Sequence, residues 1–150
     1  MPAKPNAVDL EPLLNAEQNH LSVAMADSAG IDNKALGISA ANIAVLLFIA
    51  QADLSFSSWF THASLLVPYI ISLVFNILTI LPRDYKGPGV DIAASPEYLE
   101  MSRDALVAQL LANTQSAIAI NNRLNATRWR YCAVSLVFSA IGTGILFVIL

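Results

Sequence analysis

Charge is what this sequence has least of. Lysine, arginine, aspartate and glutamate make up 13% of its 150 residues, about half the share found in soluble domains. Between Leu54 and Pro82 there is none. A surface so poor in charge faces something other than water, and 56% apolar residues with a mean hydropathy of +0.59 point to lipid. Cysteine is scarcer still: Cys132 alone excludes a disulfide framework and a cysteine metal site. A net charge of −3, with no arginine-rich or aromatic-interleaved patch, excludes nucleic acid as a partner. Glycine-rich phosphate loops, HExxH and nucleophile elbows are missing, and no span holds paired carboxylates. The chain therefore reads as non-enzymatic, with no cofactor and no metal.

What is present is three long apolar runs. Residues 35–52 are uncharged, and as a helix they measure about 27 Å, close to the thickness of a bilayer's hydrocarbon. A signal-peptide reading of this run, suggested by "AQA" at 50–52, fails because some thirty acidic and polar residues precede it. The second run is "HASLLVPYIISLVFNILTIL" at 62–81, in which Pro68 is tolerable because neighbouring helices satisfy the freed carbonyl. The third is "YCAVSLVFSAIGTGILFVIL" at 131–150. Three such runs in so short a chain argue against buried core helices of a soluble protein.

Eight basic residues set the expected threading. Lys4 and Lys34 precede the first span, and Arg83, Lys86, Arg103, Arg123, Arg128 and Arg130 lie between the second and third. One threading puts all eight on the same side, cytoplasmic by the positive-inside rule, with the N-terminus in and the C-terminus out. Trp59 and Phe60 then mark the outer interface and Trp129 the inner one. The expected fold is an all-α membrane protein with three transmembrane helices and cytoplasmic amphipathic helices. Its parts are a cytoplasmic helix in 1–33, a two-span hairpin at 34–82, a Pro/Gly loop at 83–95, and a long helix over 96–150 that continues into the third span.

Within the first part, Leu10, Leu14, Leu21 and Met25 form one helical stripe, and Gly30 marks either a break or a carried-through position. Ser95, Pro96 and Glu97 make a helix start by capping chemistry. Beyond it, Leu99, Leu106, Leu110, Ala117, Ile120 and Leu124 form a coiled-coil-like seam that packs on the N-terminal helix or on another subunit. Asn121 and Asn122 read as solvated face.

Inside the spans, Asn42 lies about 11 Å and Asn76 about 8 Å from the cytoplasmic ends, with Ser39, Ser72, Thr79, Ser135 and Ser139 in the same half. These are either interhelical hydrogen-bonding groups or the lining of a water-filled vestibule in an oligomer. Gly37 with Ala41, Ala40 with Ala44, and Ala140 with Gly144 are four apart and suit close helix packing.

The order of features resembles the Pycsar-type transmembrane effector family of bacteria. The residues that carry the resemblance are Asp32, Lys34 and Ala35 followed by Asn42 at the first span, Pro82 and Arg83 after the second, and "QSAIAINNRLNATRWRYCAV" leading into the third. The resemblance implies an antiphage effector in the bacterial inner membrane that, on a cyclic-nucleotide signal from a partner cyclase, impairs the membrane, and a homo-oligomer is expected. For a ligand site it leaves only the inner-interface cluster of Asp32, Lys34, Arg83, Arg123, Arg128 and Arg130. The alternatives are lipid-headgroup anchoring for the cations and an interfacial ion pair between Asp32 and Lys34. The other class of function is a membrane scaffold or accessory subunit whose cytoplasmic helices dock a partner.

Overall fold

The computed structural model describes residues 10–51, 59–87, 98 and 100–149. Among these the regular structure is α-helical: α1 at Glu11–Gln51, α2 at Trp59–Ile80 and α3 at Arg103–Ile149. Each is long and apolar enough to cross a membrane. The expected helix start at Ser95–Glu97 and the seam residue Leu99 lie outside the described residues.

Local chemistry explains the helix ends. Pro12 occupies the first turn of α1, where its missing N–H costs nothing, and the Leu14 amide closes that turn on the Leu10 carbonyl at 2.9 Å. Gly30 does not break α1, which runs unbroken from Glu11 to Gln51. Pro68 stays inside α2. That helix stops at Pro82, where Arg83 Nη2 donates to the Leu78 carbonyl at 3.4 Å, a cation at the negative end of the helix dipole. The third helix opens at Arg103, after the non-helical Met101 and Ser102. Ser102 Oγ accepts from the Ala105 amide at 3.4 Å, and Asp104 places an acid in the first turn.

The chain forms two compact units. In the unit of Met1–Ala26 and Asp84–Arg123, the start of α1 pairs in parallel with the start of α3. Arg103 donates to Glu11, its Nε at 3.1 Å, and Gln115 Nε2 donates to Glu17 at 3.4 Å. The seam therefore packs on the N-terminal helix of its own chain. Its register differs from the apolar reading: Ile120 is exposed, whereas Thr114, Ala117 and Asn121 are buried. Asn121 is no solvated residue. Its amide clasps the backbone of Lys86, accepting from the N–H and donating to the carbonyl, both at 2.9 Å. On α1, Met25 is likewise exposed, and Ala24 takes its place in the buried stripe.

In the unit of Asp27–Arg83 and Leu124–Leu150, three helices pack with α2 antiparallel to the other two. Burial repeats every seven residues: Ala35, Asn42 and Ile49 on α1; Leu65, Ser72 and Thr79 on α2; Arg128, Ser135 and Gly142 on α3. That 3.5-residue period is the one a left-handed helix bundle requires. The interior positions are small or polar, while Leu36, Ile43, Leu47, Ile77, Leu136 and Phe147 face outward. Among the described residues Ile49, Leu65, Tyr69 and Leu146 make a buried apolar cluster, with Val45, Leu46, Leu66 and Ile145 packed against it. The expected small-residue contacts lie elsewhere, since Gly37, Ala40, Ala41, Ala44, Ala140 and Gly144 are all exposed. The close approach falls at Gly142, where an added Cβ would meet Tyr69 Cε2 at 2.8 Å.

Candidate functional site

The seven-residue repeat places the polar residues of the three spans opposite one another. At the middle level, Asn42 Nδ2 donates to Ser72 Oγ at 2.7 Å, and Ser72 Oγ donates to the Ser135 carbonyl at 2.8 Å. Ser139 Oγ, one turn further along α3, donates to Asn42 Oδ1 at 2.6 Å. One asparagine and three serines thus join all three helices through both ends of a single amide. A turn beyond, the Tyr69 and Thr143 hydroxyls lie 3.1 Å apart, against the apolar cluster.

A second junction sits at the other end. Arg128 is 3% exposed, and from α3 its guanidinium reaches both other helices. Nε donates to the Thr79 carbonyl at 2.7 Å, Nη1 to Ser28 Oγ at 2.5 Å, and Nη2 to the carboxylate of Asp32. The Thr79 carbonyl belongs to the last turn of α2, where carbonyls lack helical partners, so a cation is favoured there by hydrogen bonding and by the dipole. Arg128 does not snorkel to the interface but points inward. Asp32 pairs with it across the bundle, not with its neighbour Lys34.

The remaining candidates follow different courses. Lys34 stacks its ammonium 4.4 Å from the centroid of the Trp129 ring, a cation–π contact worth about 0.5–1 kcal/mol when exposed. Lys34 and Arg130 share the lining of one open groove with Trp129. Arg83 caps α2, and Arg123 lies exposed on the part of α3 that belongs to the first unit. The structure therefore assembles two pairs from the six residues: Asp32 with Arg128, and Lys34 with Arg130. Asn42 is bonded at both ends of its amide. Asn76, equally buried, has no hydrogen-bond partner on either amide atom among the described residues. Ser28 and the pair Tyr69–Thr143 escaped the sequence reading. The signal for Ser28 was its spacing, seven before Ala35 and fourteen before Asn42.

An interior more polar than its exterior, on helices of membrane length, defines a multi-pass α-helical membrane protein. Among the described residues no group of three or more His, Cys, Asp or Glu is placed to hold a metal ion. Residues 16–150 match the Pycsar effector protein domain, PycTM, and the chain belongs to that family. No curated protein and no solved structure matches it.

Proposed function

We propose that this protein is the membrane effector of a cyclic-nucleotide-triggered antiphage system, acting in the bacterial inner membrane as a homo-oligomer that impairs membrane integrity. Family membership supports the effector role. The observation that carries the mechanism is the polar junction of Asn42, Ser72, Ser135 and Ser139, held out of lipid by the packing of a single chain. Such groups are harmless while bonded to each other, and they line a leak once rearrangement turns them toward water. The Arg128 clamp, tying all three helices at one level, is the contact a trigger would release. The small pairs Ala40/Ala44 and Ala140/Gly144 face outward and suit a second copy.

Inducible expression in bacteria carrying a membrane-potential dye tests this reading. Depolarisation that requires an added or co-produced cyclic nucleotide is the expected result. An unchanged potential under every nucleotide tried would instead favour the scaffold, whose spans only anchor a docking surface.

A further inference from the structure

The outward face between α1 and α3 carries an open groove of about 800 Å³, lined by Lys34, Gly37, Ile38, Trp129, Arg130 and Leu136, with Cys132 and two alanines, Ala126 and Ala133, completing it. Small side chains make the space. Gly37 contributes none, and nothing lies within 4 Å of where its Cβ would be. The volume is that of an ordinary ligand site, but the lining is divided in an unusual way. Along the span it is aliphatic apart from the Cys132 thiol, and at one end it carries two cations and an indole. No acid lines it. Asp32, the nearest carboxylate in sequence, has its charge taken up by Arg128.

From this we infer that the groove is a binding site for one anionic phospholipid, independent of the nucleotide response. The acyl chain lies along Gly37, Ile38, Ala133 and Leu136, and the phosphate sits between the Lys34 ammonium and the Arg130 guanidinium. The Trp129 ring, held by Lys34, packs at the glycerol level, where amphipathic aromatics are favoured. Charge selects the occupant. A zwitterionic headgroup cancels its own attraction, and a second copy of the chain would bring the same two cations against these. Each cation near an anionic surface is worth about fivefold in affinity.

Trp129 reports on the site directly. The chain has two tryptophans, so Trp59→Phe leaves a single indole. The test reconstitutes that variant in mixed phosphatidylglycerol and phosphatidylcholine vesicles, with brominated acyl chains on one lipid at a time. Brominated phosphatidylglycerol is expected to quench Trp129 more than brominated phosphatidylcholine at equal mole fraction. Lys34→Gln or Arg130→Gln should each lower that preference by about fivefold. Gly37→Leu should reduce quenching by both lipids while the helical circular dichroism stays unchanged. Equal quenching by the two lipids would overturn the proposal, leaving bulk lipid as filler. Weak quenching by either that grows as protein is diluted in lipid would overturn it in favour of a second copy.

Discussion

A guanidinium buried among membrane helices is tolerable only when its donors are met, and Arg128 meets them with a carboxylate, a hydroxyl and a helix-terminal carbonyl. The two members of the ion pair are not equally sheltered. The Arg128 side chain is 3% exposed and that of Asp32 36%. Removing the acid strands a buried cation, whereas removing the cation leaves a carboxylate that still reaches solvent. Asp32→Leu should therefore destabilise the bundle by about 3–5 kcal/mol, and Arg128→Met by less. The double variant should recover much of the loss, because no charge is then left unpaired. Thermal melts of the purified protein in detergent read all three, and a double variant as unstable as Asp32→Leu would show that the clamp contributes more than mutual neutralisation.

At the scale of the element, the contact between α2 and α3 turns on Gly142. A Cβ there would lie 2.8 Å from the Tyr69 ring, while one at Gly144, two residues on, would meet nothing within 4 Å. Gly142→Ala should cost about 1–3 kcal/mol by overpacking, and Gly144→Ala should be within about 0.5 kcal/mol of neutral. Detergent melts check the contrast, and Tyr69→Leu should relieve most of the Gly142→Ala penalty in a double-mutant cycle. The same contact marks where sequence reasoning stopped. Number, length and identity of the spans follow from apolar runs, and the shared depth of Asn42, Ser72 and Ser135 follows from counting along helices. Which face turns inward does not. In water the large apolar residues point to the core, so the seam on α3 reads as Leu110, Ala117, Ile120 and Leu124. In this protein small and polar residues fill the seven-residue repeat, and Asn121 is buried while Ile120 is exposed. The outward position of Gly37 and Ala41 has the same origin, since spacing by four locates a stripe without saying what it touches.

For the whole molecule, the arrangement of charge makes a claim about threading that packing does not. α1 and α3 run in the same direction, as the pairings Asp32 with Arg128 and Asn42 with Ser139 require, and α2 in the opposite one, as Tyr69 with Thr143 and Thr79 with Arg128 require. Three crossings therefore leave the start of α1 and the end of α3 on opposite sides. Lys34, Arg83, Arg128 and Arg130 lie together at one end of these crossings, and no lysine or arginine follows Arg130. Translocating a basic segment is disfavoured, so the end bearing these cations should be cytoplasmic. A reporter fused after Leu150 is then expected to be active as alkaline phosphatase, which needs the periplasm, and dark as green fluorescent protein. A fusion within 83–87 should give the reverse. The reporter pattern depends on basic residues beside the spans, so replacing Arg83, Lys86, Arg123 and Arg130 by glutamine, with the buried Arg128 kept, should yield mixed activity at both positions. An unchanged pattern in that variant would mean that orientation is set by the order in which the hydrophobic spans insert, not by charge.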